Sequence, residues 1–287
     1  MYHIYSMSTL KLYNADCLEQ MKSIPDKSID LIICDLPYGC LMGGGGAEKK
    51  RRKLPIFKNG IDTGKFENRT EGVIAGCAWD IKINLELFWN QVKRIRKNEH
   101  SPCIHFCSTK FGADLINSNP KEFRYDLVWV KPNAVGFLSA NKKPMATHEM
   151  LYVFSKAGAN YNRIDILGDF KANGGGRTTA SFIPSINQLE NIKVDNTGRR
   201  CPTSCIEISK ISNKKVKGQH PTAKPIDLYK WLIERYSNEG DTVLDPTFGS
   251  CNSGIASREL GRNYIGIEMN KEFFDKANNV FNPIVNL

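Results

Sequence analysis

No stretch of this 287-residue sequence is apolar for long enough to span a bilayer as a helix. Met1 to Leu10 also lacks the charged segment followed by an apolar core that marks a secretory leader, so export is not expected and a cytoplasmic location is. There is no disulfide framework either, because the nine cysteines are odd in number and scattered, which fits a reducing compartment. Cys103 and Cys107 would lie roughly 13 Å apart along a strand at about 3.3 Å per residue, too far to share one zinc. Cys201 and Cys205 lack a second pair, so no metal is expected. Acidic side chains are the scarcer charge, 30 against 40 Lys and Arg, and the net charge of +10 favours a polyanionic partner. What remains, with 41% hydrophobic and 24% charged residues, is the composition of a soluble protein. The length suits one large α/β domain with insertions or two smaller domains.

Apolar character comes in short runs instead. Leu31-Ile32-Ile33-Cys34, between Asp30 and Asp35, reads as a strand buried on both faces of a parallel sheet, ended by the turn Asp35-Leu36-Pro37-Tyr38. Ligands of open α/β sheets sit beyond the carboxyl ends of strands. A carboxylate and a backbone carbonyl are acceptors that together can hold both hydrogens of an exocyclic amino group, and an aromatic ring can stack on the base that carries it.

The rest of the chain repeats the α/β pattern. Thr9 to Tyr13 predicts a strand, Leu18, Met21 and Ile24 a helix ended by Pro25, and Leu85 to Ile95 an amphipathic helix. Cys103 to Phe106, Asp126 to Val130 and Glu149 to Phe154 predict further strands, with a helix around Phe111 to Ile116. Leu228, Trp231, Leu232 and Tyr236 follow Pro225 at helical spacing. Thr242 to Gly254 is a strand, a small-residue loop and a helix start, and Tyr264 to Glu268 is the next strand. By spacing alone, this last unit with its acidic strand end also suits a dinucleotide-binding dehydrogenase.

The wording of the motifs separates these readings. Asp35-Leu36-Pro37-Tyr38 resembles the Asp-Pro-Pro-Tyr motif of the S-adenosylmethionine-dependent DNA amino-methyltransferases, which methylate adenine N6 or cytosine N4. His220-Pro221-Thr222-Ala223-Lys224-Pro225, Asp245-Pro246-Thr247-Phe248-Gly249-Ser250 and Gly261 to Glu268 resemble the cofactor half of the same enzymes. The catalytic motif precedes the cofactor motifs, which is the permuted order of their β class; protein-glutamine methyltransferases share a similar catalytic motif but place the cofactor loop first.

This resemblance implies a Rossmann-like class I methyltransferase fold, α/β with a mainly parallel sheet, in circularly permuted order with an inserted target-recognition region. It divides the chain into a catalytic half (1–156), a recognition region (157–217) and a cofactor half (218–287). It implies catalytic roles for Asp35, Leu36, Pro37 and Tyr38, with Leu36 standing where the family has its first proline and contributing only a main-chain carbonyl. Asp16, Thr222, Lys224, Asp245, Phe248, Gly249, Ser250 and Glu268 are the implied contacts of S-adenosylmethionine: Asp16 beside the adenine, Thr222 and Lys224 near the methionine portion, Glu268 on the ribose. Asp16 alternatively only caps a helix. Cys251 replaces a small residue, usually glycine, and is expected to be strained if the backbone there is left-handed.

Double-stranded DNA is the implied partner, with a homodimer and a cognate restriction enzyme as further family associations. Lys49, Lys50, Arg51, Arg52 and Lys53 are expected in a mobile loop, about residues 40–75, that closes on phosphates. A solvated charge run and a nuclear localisation signal are the other readings of that cluster. Arg177, Arg199 and Arg200 fall in the irregular, polar stretch from Ala157 to Lys217 that is expected to read bases. His105 and His148 are expected to be structural or substrate-facing, since the chemistry needs no strong base. Asp at the first motif position favours adenine. A non-catalytic DNA-binding protein that keeps the fold, and an RNA methyltransferase, are the alternatives.

Overall fold

The computed structural model describes residues 8–38, 51–58, 61–70, 83–167, 199–208 and 223–281. In chain order its elements are β1 (Leu10–Tyr13), α1 (Cys17–Met21), β2 (Leu31–Cys34), β3 (Arg51–Lys58), β4 (Ile61–Thr70), α2 (Leu85–Ile95), β5 (Cys103–Cys107), α3 (Thr109–Ser118), β6 (Phe123–Val135), a 3-10 turn (Phe137–Ser139) and β7 (Ala146–Phe154). β8 (Ile166–Leu167), β9 (Arg199–Arg200), β10 (Cys205–Glu207), α4 (Ile226–Tyr236), β11 (Thr242–Asp245), α5 (Asn252–Glu259), β12 (Asn263–Ile267) and α6 (Lys271–Phe281) follow.

An eight-stranded sheet runs β1-β12-β11-β2-β5-β7-β6-β10 and is parallel except for β7. Its apolar runs alternate faces with the period of a strand. On β2, Leu31 and Ile33 join a core with Leu228, Leu232 and Tyr236 of α4, while Ile32 and Cys34 join one with Phe88 of α2 and Phe111 of α3. Helices α4, α5 and α6 thus cover one face, and α1, α2 and α3 the other. Burying both faces explains why the central strands read as continuous apolar runs.

Neighbouring strands β2 and β11 come from opposite ends of the chain, in the register Val243 to Leu31 and Leu244 to Ile32. From β2 the chain proceeds through α2 to β5 on one side, and from β11 through α5 to β12 on the other. The sheet therefore changes winding direction between β2 and β11, and their carboxyl ends flank a crevice.

Two expectations need adjustment. Arg51, Arg52 and Lys53 open β3, which pairs antiparallel with β4, so this part of the basic run lies in a hairpin rather than a loop; Lys49 and Lys50 lie outside the described residues. The stretch Ala157 to Lys217 is not wholly separate from the main domain, because β10 extends the sheet beside β6 and Ile206 is buried in the core. Arg199 and Arg200 are exposed on β9, paired with β8, and Arg177 lies outside the described residues. No helix among the described residues is long and apolar enough to cross a membrane.

Candidate active site

The turn after β2 is built from both sides. Leu36 is 2% exposed and packs into the core under α2 and α3, so the residue that departs from the family pattern anchors the turn by its side chain. Phe111 stacks on Tyr38 at 4.8 Å between ring centroids and 29° between planes. The Tyr38 hydroxyl donates to Asp35 Oδ1 at 2.6 Å, and the Lys224 ammonium donates to Asp35 Oδ2 at 2.6 Å. Burial, followed by the Asp35 carboxylate, pushes the Tyr38 phenol well above its ordinary value, so it remains a donor.

Lys224 is only 6% exposed and lies also 3.4 Å from Glu149, whose other oxygen is held by Lys131. Burial would lower the Lys224 pKa, but Asp35 and Glu149 outweigh it and hold the ammonium above its usual 10.5. Burial would likewise raise the Glu149 carboxyl, and Lys224 and Lys131 together hold it below 4.5. Two carboxylates can share this space because two ammonium groups lie between and beside them. Lys224, expected near the methionine portion of a cofactor, is thus engaged by the Asp35 turn. Asn252 Nδ2 fixes its backbone by donating to the Lys224 carbonyl at 2.6 Å. Thr222 lies outside the described residues.

The other wall comes from the cofactor motifs. Glu268, just beyond β12, accepts from the Gly249 N–H at 2.9 Å through Oε2 and from the Asn270 N–H at 2.7 Å through Oε1. Burial raises its pKa while these backbone donors oppose that rise. Gly249 and Cys251 both adopt left-handed backbone, φ 52° and 57°. The strain expected at Cys251 is therefore present, at about 1–2 kcal/mol for a residue with a Cβ, and its thiol is buried beside Tyr264. Asp16 accepts from the Glu19 N–H at 3.1 Å as the N-cap of α1, and it also lines the cavity.

Asp245 needs correction as a cofactor contact. It is buried beneath the loop, accepting from the Thr247 N–H at 3.0 Å and the Ser253 hydroxyl at 2.6 Å, and does not line the cavity. It shapes the loop from below. Burial raises its pKa to about 7. The folded state therefore binds its proton more tightly, and the resulting stabilisation is full below 3.8 and lost as pH rises through about 7.

Both walls enclose one cavity of about 960 Å³. Asp16, Leu36, Pro37, Tyr38, Asp35 and Lys224 line it together with Phe248, Gly249, Ser250 and Glu268. Sequence reasoning did not single out Thr247 within that loop; it lines the same cavity, and its Oγ1 is buried without a hydrogen-bond partner among the described residues. A buried hydroxyl without a partner beside a pre-oriented carboxylate fits a polar ligand such as a nucleoside.

A second missed cluster lies under the turn. Cys34 and Cys103 place their sulfurs 3.9 Å apart, with His105 Nδ1 3.6 Å from Cys34 and Nε2 3.2 Å from Cys103. Burial, followed by the neighbouring Cys103, pushes the Cys34 thiol well above its ordinary value. The two ring nitrogens approach different sulfurs, and Phe88, Trp89 and Phe154 surround the imidazole edge to face. The ligand atoms of these three buried side chains all lie within 4.8 Å of one another, close enough to hold a metal ion. His105 is fully buried, as a structural histidine would be, while His148 lines the cavity.

The sequence pattern of the N6/N4 DNA methylase family matches residues 29–279. The chain is 27% identical over 272 residues to the type II methyltransferase M.HinfI of Haemophilus influenzae, covering 93% of this chain and 66% of that protein. It is 25% identical to M1.MboII of Moraxella bovis, covering 96% and 97%. In three dimensions it is similar to the cytosine-N4-specific PvuII DNA methyltransferase, with a TM-score of 0.58 at 18% identity over 98% of this chain and 89% of that one. It is also similar to the M1.HpyAVI complex with S-adenosylmethionine, with a TM-score of 0.54 at 20% identity over 95% and 100%. A family match over most of the chain, on a sheet of matching fold, means that this chain belongs to the N6/N4 DNA methylase family, whose methyl donor is S-adenosylmethionine.

Proposed function

We propose that the protein methylates adenine N6 in double-stranded DNA. The observation that carries this reading is that the Asp35 turn and the Glu268 wall open into one cavity. S-adenosylmethionine supplies an electrophilic methyl group on a sulfonium. Glu268, fixed by two backbone donors, is the acceptor for ribose hydroxyls, and the Phe248 to Ser250 loop with Thr247 and Asp16 lines the rest of that subsite.

The structure shows a resting arrangement in which the chain's own donors occupy both Asp35 oxygens. Seating a flipped base requires the Tyr38 hydroxyl to release Oδ1, which then accepts from the exocyclic N–H, with the Leu36 carbonyl as second acceptor. Lys224 stays on Oδ2 and keeps the carboxylate oriented. Accepting from the amino group directs its lone pair away from the ring and toward the methyl group. The rate gain then comes from positioning and electrostatics, not from a strong base.

Tyr38→Phe separates these roles. It keeps the stacking ring and frees Oδ1, so single-turnover transfer should stay within about fivefold of the parent, whereas Tyr38→Ala should lose about 100-fold. Equal losses in the two variants would assign the hydroxyl, and not the ring, to the reaction.

Glu268→Ala removes two charge-assisted acceptors and should weaken S-adenosylmethionine binding about 10- to 100-fold by calorimetry. An unchanged dissociation constant would remove Glu268 from the cofactor site. Because cytosine N4 presents a similar amino group to the same acceptors, the target itself is tested by nucleoside mass spectrometry of methylated DNA. N6-methyladenine is expected, and N4-methylcytosine in its place would overturn the assignment.

A further inference from the structure

Apolar side chains in water are ordinary one at a time; two adjacent ones on a built projection need a reason. Phe137 is 78% exposed and Leu138 99% exposed, in the 3-10 turn that caps the β6–β7 hairpin. This tip is held by its own backbone. Gly136 takes φ 96°, the Ser139 N–H donates to the Gly136 carbonyl at 2.9 Å, and Lys142 and Lys143 both donate to the Ser139 carbonyl, at 2.9 and 3.1 Å. The pairing of Val135 with Ala146 closes the hairpin just below.

The projection stands at the mouth of the cavity, since Val135, Lys143 and Ala146 line it. Lys142 and Lys143 are exposed and have no acidic partner among the described residues. An apolar tip with cations beside it, next to the pocket that receives a base, matches the surface a duplex presents where its stack is opened: apolar base faces flanked by phosphates.

We propose that Phe137 and Leu138 form a wedge that enters the base stack of duplex DNA where the target base leaves it, with Lys142 and Lys143 against flanking phosphates. This rests on the reading of the cavity as a base pocket and adds the element that opens the duplex. Filling the gap offsets the loss of stacking. The wedge therefore matters most when the target is fully paired.

The test compares the parent with Phe137→Ala/Leu138→Ala in single-turnover transfer on two duplexes. The target site is first read by modified-base sequencing of plasmid from cells expressing the parent. One duplex is fully matched; the other carries an abasic position opposite the target base, where pairing is already lost. The double variant should lose about 100-fold on the matched duplex and less than about fivefold on the abasic one, with cofactor affinity unchanged. Equal losses on both duplexes, or none on either, would overturn the wedge. So would parent-like transfer accompanied by a change in sedimentation, which would make the tip a contact between copies of this chain. If the parent transfers no methyl group to any DNA, the base-pocket reading fails first and the wedge falls with it.

Discussion

Asp35→Asn is expected to slow methyl transfer by about 10³-fold while leaving S-adenosylmethionine affinity within about threefold of the parent. The substitution preserves shape and removes charge. Asn offers one acceptor oxygen and a donor group, so the amino group of the base loses one hydrogen-bond acceptor and Lys224 loses the anion 2.6 Å away. Lys224 retains Glu149 at 3.4 Å, which should keep the domain folded. The measurement is single-turnover transfer beside calorimetric cofactor binding on the same preparation. Turnover close to the parent's would remove Asp35 from the reaction.

Lys224→Met should have the larger effect on stability, about 3–5 kcal/mol, because it leaves the half-buried carboxylates of Asp35 and Glu149 in one pocket without the cation between them. Met keeps most of the volume against Phe106, over whose ring the ammonium lies at 5.1 Å, so the loss reports charge more than packing. The pH dependence carries its own sign. Glu149 is held below 4.5, so its contribution is present above that value and lost as pH falls through its depressed folded value. Lys224 is held above 10.5, so its contribution is present below that value and lost as pH rises through its raised one. Without Lys224, Glu149 keeps only Lys131, and the acid unfolding transition should move to higher pH. Chemical denaturation at pH 7 and a pH series at fixed denaturant check both effects. A loss below about 1 kcal/mol with an unmoved acid limb would make the pair no stronger than a surface ion pair.

Local pattern was legible wherever a strand is buried on both faces. Leu31 to Cys34, Cys103 to Phe106 and Thr242 to Asp245 appear as mainly apolar runs because helices cover the sheet on both faces. The left-handed Cys251 was legible from the family's preference for glycine at that position. Contacts between distant segments were not. Asp35 and Lys224 are 189 residues apart, and no periodicity says which lysine of a motif turns toward the other half of the chain.

Asp245 was expected at the cofactor because the Asp245 to Ser250 loop resembles the family's cofactor loop. Burial, with Thr247 and Ser253 as its donors, puts it beneath the loop. Spacing along β5 was weighed only for Cys103 and Cys107, whereas Cys34 meets Cys103 and His105 across the β2–β5 pair. Phe137 and Leu138 have the composition of core residues, and only their place on a hairpin tip shows that they face water.

In the proposed reaction, one cavity brings an amino group held by Asp35 together with a methyl donor held by Glu268. Nucleoside mass spectrometry of DNA from cells expressing the parent or Asp35→Asn tests it most directly. N6-methyladenine is expected with the parent and background levels with the variant. Equal methylation with both, or no methylated base with either, would contradict it.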